Sequence, residues 1–588
     1  MIQNHHLLLP RLNLLWALIY GSSAIMGLRL VELQILHKGE YRMEAERNRT
    51  QMIYQTAPRG RIYDRNGVAL ASNQPAFSLI YLPAEGKALA DLKPLAEDLA
   101  GQINQASATL LETLQQAVSE KTAIRLAENL PSRTMFRLSE LKTIYPGVDL
   151  IVEARRYYPL GRFASHLIGY TGKMDSRSWK ELKSKGYRVD SRIGKMGLES
   201  VFERQLRGID GGVRMEVDAQ GRLKRILERI FWEPGSNIYL TLDANVQKAA
   251  DEGLRKSATN RGAVVALDPR NGAILALSSA PDFDPNALLS SDPKLVKETF
   301  AGLTEFNHAI AGTYSPGSIF KPIVGAAGLN EARIDPQEIV FCPGYFELGK
   351  RIFLCWEHKG HKKMSWFPGL TQSCDVYFYH MGLKTGGALI EKYAKLFGLG
   401  VKTNIALKGE KSGNIFGPES RAKSSRSWWY DGDTVNLSIG QGELLVTPIQ
   451  MAVVASAIAN RGTLWRPHYT DRIEYARERA EYKQQPEKMG SIPLKDETWN
   501  NVQEAMLLAV SSGTARQAAI PGLDVRGKTG SAQNPSGDDH AWFMAYAAKP
   551  GELPSIAVVV LVENGGKGSS VAAPIAKEVI LAAFGRTL

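Results

Sequence analysis

The chain has 588 residues, 44% of them hydrophobic and 22% charged, which excludes a disordered or fibrous protein and leaves room for several domains. A net charge of +12 points to an acidic surface or polymer as partner, such as anionic lipid, cell-wall polymer or nucleic acid. Nucleic acid is disfavoured, because no dense Lys/Arg run occurs and the aromatic residues are not interleaved with one.

The N-terminus carries the one candidate membrane segment. Leu12 to Leu28, LNLLWALIYGSSAIMGL, are 17 uncharged positions, the short end of what crosses a bilayer. The pattern LRLVELQIL carries a helix on to Leu36 with Arg29 snorkelling, so we expect an uncleaved anchor over 12–36 behind a short cytoplasmic tail, 1–11. A cleaved signal peptide, given the small residues GSSA, and a buried helix are the alternatives. Charge argues against an outward C-terminal body: Arg11 stands alone before the segment, whereas Arg29, Lys38 and Arg42 follow it.

YRMEAERNRT then continues as a charged amphipathic stretch, and APRGRIYDRNGVALASN predicts strand, Asn66-Gly67 turn, strand. Residues 88 to 141 are helical in pattern, and 142 to 235 mix strands with Gly-rich turns without an evident catalytic cluster. A boundary falls at Glu233-Pro234-Gly235-Ser236, giving a non-catalytic domain over 37–235 and a second domain over 236–588. In the latter, IYLTLDANVQKAADEGL predicts strand then helix, and GAVVALDPRNGAILALSSAP a hairpin about Asn271-Gly272. TPIQMAVVASAIANRG predicts a helix; VRGKTGSAQ, HAWFMAYAA and SIAVVVLVE predict strands before a last helix, APIAKEVILAAFG. A helical body with a sheet made from both ends of the domain is α+β. No internal repeat of 20 to 50 residues is present.

Within SPGSIFKP, Ser318 precedes Lys321 by three positions, which places hydroxyl and amine on one helical face. Serine needs a base to act as a nucleophile, and lysine can be that base when burial or a nearby cation lowers its pKa. The spacing alone is weak: Ser139/Lys142, Ser291/Lys294 and Ser420/Lys423 share it, and helix surface is the ordinary reading of each. Two further elements add weight, Ser373-Cys374-Asp375 and Lys528-Thr529-Gly530 followed by Ser531. A second KTG, Lys384-Thr385-Gly386, follows the helical run VYFYHMGL and reads as a helix stop. The copy at 528 lies in a β-pattern, where glycine would let a substrate backbone come close.

The ordered set S-x-x-K, S-x-D, K-T-G resembles the active-site signature of penicillin-binding proteins and serine β-lactamases. With APRGRIYDRNG, GKMGLE, LDPRNGAILAL and NLSIGQGELLVTPIQ, nearly the whole chain resembles a class B penicillin-binding protein, and the S-C-D element resembles the elongation-specific, rod-shape branch. The resemblance implies an anchor helix, an extended α/β pedestal and a transpeptidase domain with an antiparallel sheet and a helical body. It implies a single-pass protein of the bacterial inner membrane with the catalytic domain in the periplasm, no organic cofactor, and β-lactam antibiotics as inhibitors. It also implies peptidoglycan stem peptides as substrates, and a SEDS-type glycosyltransferase and other elongation-complex membrane proteins as partners.

Carried over residue by residue, Ser318 would attack the carbonyl between two terminal D-alanines, with Lys321 as base, kept neutral by burial and by the charge of Lys528. Ser373 would relay protons. Thr529 and Ser531 would bind the substrate carboxylate with Lys528 attracting it and Gly530 beside them, and the backbone N–H groups of Ser318 and Ser531 would form the oxyanion hole. Asp375 replaces an amide of many relatives, and we expect it to hold Lys321. A β-lactamase or β-lactam sensor, a D,D-carboxypeptidase, and a scaffold with a degenerate domain are the rival functions.

The only three cysteines, Cys342, Cys355 and Cys374, combine with His361 as C-x12-C-x5-H-x12-C. Three thiolates and an imidazole suit tetrahedral zinc in a structural role, with His358 as the alternative histidine. A Cys342–Cys355 disulfide with Cys374 buried is the competing reading.

Overall fold

A computed structural model describes residues 5–39, 50–81, 92–103, 105–120, 124–130, 132–145, 147–188, 190–217, 223–290, 293–301, 305–423, 428–534 and 537–586. Apart from Thr50, the stretch YRMEAERNRT lies outside them. The chain divides into two compact units, one of residues 1–58, 74–155 and 208–234, the other of 59–73, 156–207 and 235–588. Position 235 is therefore where the chain enters the second unit for the last time, after two earlier visits.

In the first unit an N-terminal helix, His5–Val31, runs on through a wider turn, Glu32–Leu36. Its stretch Leu12–Leu36 is long and apolar enough to cross a membrane, and its apolar window is not buried among the described residues. The expected helices appear as Leu92–Ile103 and Ser107–Glu120, followed by Ser132–Ile144. Between them stands a strand, Ile124–Leu130, that sequence reading had merged into the helical run. It pairs antiparallel with the 77–81 stretch and buries Leu126 and Leu130. So short an apolar segment carries too few residues for its period to separate helix from strand.

The second unit is built on a five-stranded antiparallel sheet. In chain order its elements are helix α1 (Ala244–Lys256), strands β1 (Gly262–Leu267) and β2 (Ile274–Ala280), helix α2 (Lys321–Asn330), and a hairpin of β3 (Tyr345–Leu348) and β4 (Arg351–Leu354). Helices α3 (Asp375–Thr385) and α4 (Pro448–Ala459) follow, then strands β5 (Asp524–Ala532), β6 (His540–Ala548) and β7 (Ile556–Val562), and helix α5 (Ala572–Ala583). The strand order is β2-β1-β7-β6-β5, so the first and last thirds of the unit close one sheet and β5 forms its edge. The β1–β2 connection turns at Asn271-Gly272, as the sequence predicts, with Gly272 at φ +80°.

Side chains alternate across this sheet and feed two cores. Val264, Ala266, Val558 and Val560 face α1 and α5, while Val265, Leu267, Val559 and Leu561 face α4 and the helical body. Helix α4 is buried at every position, which explains its all-round apolar sequence.

The motifs APRGR and GKMGLE meet in the second unit. Glu199, fully buried, accepts from Arg59 Nε at 2.6 Å and Arg156 Nε at 2.6 Å; Arg59 also reaches Glu203 at 2.7 Å, and Arg156 donates to the Gly60 carbonyl at 2.7 Å. Burial would raise the Glu199 pKa, but Arg156 and Arg59 outweigh it and hold the carboxyl below its usual range. Removing one member of such a buried network leaves the others uncompensated. We expect Glu199→Ala to destabilise the protein by about 3–5 kcal/mol, read as a lowered denaturation midpoint; an unchanged midpoint would show that the network contributes nothing.

Candidate active site

The stretch SPGSIFKP enters α2 through a tight 3-10 turn, Gly317–Phe320, rather than a regular helix start. Side chains three apart eclipse in such a turn, so Ser318 and Lys321 stand in line. Gly317 sits at φ +56°, and a Cβ there would lie 2.8 Å from the Ser531 carbonyl oxygen. A Cβ on Gly530 would meet Ile319 Cγ2 at 3.1 Å and the Pro316 oxygen at 3.2 Å. The glycine of the KTG element thus makes room for the turn that bears Ser318, and it also lines the cavity before that serine.

Lys321 is completely buried, and its Nζ is held by three oxygen atoms. It donates to Asp375 Oδ1 at 2.7 Å, to the Ser373 carbonyl at 2.9 Å and to Ser373 Oγ at 3.3 Å. Lys528, also fully buried, donates from β5 to the same Ser373 Oγ at 2.8 Å and to the Thr529 carbonyl at 2.9 Å. One hydroxyl therefore joins two amines. The expected contact between Asp375 and Lys321 is present, and Asp375 Oδ2 is held by the backbone N–H of Trp356 at 2.9 Å.

Burial, and then the neighbouring Lys321 charge, push the Lys528 pKa well below 10.5, with Asp375 opposing. From sequence Lys528 is expected to depress Lys321; the structure shows burial and the Lys321 charge depressing Lys528. The site disfavours the charge on Lys528, because burial and the Lys321 charge both act against it. The group can pass a proton between the amines through Ser373.

Ser318 is half-buried and opens into a cavity of about 440 Å³ whose lining includes Ser373, Asp375, Thr529, Gly530 and Ser531. Thr529 Oγ1 lies 2.8 Å from Thr514 Oγ1, and Ser531 Oγ accepts from the Gly568 N–H at 3.4 Å. Trp356, Tyr379, Gln441, Thr514 and Lys567 complete much of the wall, and sequence reading missed all five as site residues. Only Gln441, inside the NLSIGQGE motif, carried a signal that could have found it. The decoy Lys384-Thr385-Gly386 ends α3, with Gly386 at φ +85°, as a helix stop.

Ser373 itself has φ +58°, a left-handed conformation that costs a residue with a side chain of order 1–3 kcal/mol. The turn is flanked by the cysteine cluster. One donor atom from each of Cys342, Cys355, His361 and Cys374 lies within 4.8 Å of the others, with His361 Nδ1 at 3.7 Å from Cys342 Sγ and 3.5 Å from Cys355 Sγ. All three cysteines are free thiols, so the Cys342–Cys355 disulfide is not formed. His358 lines the cavity, while His361 joins the thiols.

A lysine with a depressed pKa binds fewer protons folded than unfolded, so stability rises with pH between its folded pKa and about 10.5. Below the folded pKa both states carry the proton and the penalty of burying it is constant. We expect Lys528→Met to lose this rise in denaturation midpoint on the alkaline side; a variant as pH-dependent as the parent would place the depressed pKa elsewhere.

Comparison with known proteins agrees with this geometry. Residues 262–581 match the family model of the penicillin binding protein transpeptidase domain, and 54–240 that of the penicillin-binding protein dimerisation domain. The peptidoglycan D,D-transpeptidase MrdA of Acinetobacter baumannii is 33% identical over 94% of this chain and 84% of its own length. A chain of a solved peptidoglycan synthase complex, described as coordinating polymerization and crosslinking, matches with TM-score 0.73 and 28% identity over 98% of this chain and 99% of its own. The penicillin-binding protein PBP2 of Helicobacter pylori, solved in complex with MreC, matches with TM-score 0.75 and 27% identity over 91% of this chain and 99% of its own. With a lysine pair bridged by a serine beside a nucleophile turn, and with relatives along nearly its whole length, this chain belongs to the penicillin-binding protein transpeptidase family.

Proposed function

We propose that this protein is a peptidoglycan D,D-transpeptidase that crosslinks stem peptides through a serine acyl-enzyme during cell-wall elongation. The observation that carries the reading is the hydrogen-bonded set Lys321, Ser373 and Lys528, whose Ser373 lines one cavity with Ser318. Residues 236–588 form its transpeptidase domain, 37–235 its pedestal and 12–36 a single anchor that leaves the catalytic domain in the periplasm.

In the resting site Lys321 is paired with Asp375, and Lys528 favours the neutral amine. Lys321 passes a proton to Ser373 Oγ as Ser373 gives its own to Lys528. The freed Lys321 amine takes the Ser318 proton while Oγ attacks the carbonyl carbon of the penultimate D-alanine. Backbone N–H groups of Ser318 and Ser531 hold the oxyanion, each worth roughly 3 kcal/mol. The C–N bond breaks, and the leaving D-alanine nitrogen takes a proton back along the same path. An amine of a neighbouring stem peptide then attacks the ester and gives its proton to Lys321. The bond to Ser318 Oγ breaks, the Oγ is reprotonated, and a new amide remains. The substrate carboxylate rests on Thr529 and Ser531, near Lys528.

Transpeptidases of this family need no organic cofactor. The cysteine cluster fits a structural zinc ion: three thiols and an imidazole nitrogen converge at the spacing of a tetrahedral donor set. Bound there, zinc would crosslink the hairpin region to the turn bearing Ser373 and take no part in the reaction. The solved complexes of relatives, with MreC and within a peptidoglycan synthase complex, support partners of those kinds here; a SEDS-type glycosyltransferase is the partner that the resemblance in sequence adds.

Two experiments test these readings. Intact mass of the full chain incubated with benzylpenicillin should show a one-to-one adduct lasting many minutes, absent in Ser318→Ala. Rapid loss of the adduct with hydrolysed drug would identify a β-lactamase instead, and an adduct on Ser318→Ala would remove Ser318 as nucleophile. For the metal, native mass spectrometry should find one zinc per chain, lost in Cys342→Ser together with part of the thermal stability; a metal-free parent of equal stability would exclude the site.

A further inference from the structure

Hairpin β3–β4 stands on α3 with one face in and one face out. Phe346 and Phe353 point inward, each with its ring centroid 5.8 Å from that of Tyr379. The register pairs Tyr345 with Leu354 and Glu347 with Ile352, which brings these four side chains to the outer face. Tyr345 is 44% exposed, Ile352 59% and Leu354 60%, and Trp356, just beyond the strand, is 51% exposed. Apolar side chains grouped in this way on a surface mark a place of contact.

This face runs straight out of the candidate active site, because Leu354 and Trp356 also line the cavity of Ser318. Trp356 is fixed in place: its indole N–H donates to the Gln372 and Ser373 carbonyls at 3.2 and 3.1 Å, and its backbone N–H holds Asp375. The result is a rigid aromatic platform at the rim, followed by aliphatic and aromatic side chains leading away from it. Anchors of this type dominate contact energies because little entropy is lost when they bind.

We propose that this outer face, Tyr345, Ile352, Leu354 and Trp356, is a landing surface for the glycan strand that carries the reacting stem peptide. The proposal rests on the transpeptidase reading and extends it. A cavity of about 440 Å³ is of drug-ligand size, and a stem peptide attached to its sugars exceeds it, so the bulk of the substrate lies outside on whatever adjoins the rim. Where β4 forms the rim, it continues into an apolar ribbon whose outward strand residues include one carboxylate, Glu347, suited to the CH faces of pyranose rings rather than to a charged polymer or headgroup. A β-lactam, which fills only the cavity, would not touch Tyr345 or Ile352.

The test uses the full chain in detergent with Ser318 blocked by benzylpenicillin, so that the cavity is closed to stem peptides. Binding of uncrosslinked glycan strands bearing pentapeptides is then measured by co-sedimentation. The blocked parent should retain strands, and the double substitution Tyr345→Ser with Ile352→Ser should weaken that binding at least tenfold while the variant still takes up one penicillin per chain. The single substitution Ile352→Ser, with an intermediate loss, guards against a folding defect in the double variant. Equal binding by parent and variants, or no binding by the blocked parent, would overturn the proposal, the first outcome assigning the ribbon to a protein partner. A parent that forms no penicillin adduct would instead overturn the transpeptidase reading, and this one with it.

Discussion

The candidate site depends on one serine hydroxyl placed between two buried ammonium groups. Lys321 and Lys528 come from elements 207 positions apart in the chain and share Ser373 Oγ at 3.3 and 2.8 Å. Two positive charges in a dry interior repel strongly, and one carboxylate, Asp375, compensates only one of them. Asp375 pairs with Lys321, while burial and the Lys321 charge lower the affinity of Lys528 for its proton. Two buried amines joined through one hydroxyl form a path for a proton, and it exists only while the body and the sheet hold their places.

Those places are held at some cost. Ser373 adopts a left-handed backbone, and the two residues after it are each tied to another element. Cys374 joins the cysteine and histidine cluster and its sulfur accepts from the Tyr377 N–H at the start of α3, while Asp375 accepts from Trp356 next to Cys355. The same few residues thus carry the strain, the lysine pairing and the metal-type donors. A change at the cluster would reach Lys321 through a path of two side chains, which gives a physical reason for the cluster to sit so near the chemistry.

Much of this was legible in the sequence, and what was legible depended on local rules. The strands of the sheet followed from short β-type runs and the Asn271-Gly272 turn, the stop at Gly386 from helix-capping chemistry, and the choice of Lys528 over Lys384 from the β-pattern around it. The cysteine and histidine set was found by residue type and confirmed as a spatial group. Strand Ile124–Leu130 was lost because its pattern is shorter than the window needed to recognise it. That Lys528 loses affinity for its proton was beyond sequence, since it depends on burial and on Lys321 lying nearby. Trp356 and Thr514 join the wall through long-range packing that no motif announces.

Strand β5 explains why the site lies where it does. It is the edge of the five-stranded sheet, and an exposed edge is ordinarily a liability because its unpaired N–H and C=O groups invite another strand. Here the edge is partly covered by the Ser318 turn, which glycines at 317 and 530 allow to approach within contact distance. What stays open is the stretch through Thr529 and Ser531, beside the nucleophile turn. A peptide laid along that edge would complete the sheet and present its carbonyl to Ser318 in one act, so that recognition of an extended backbone and alignment for attack are the same physical event.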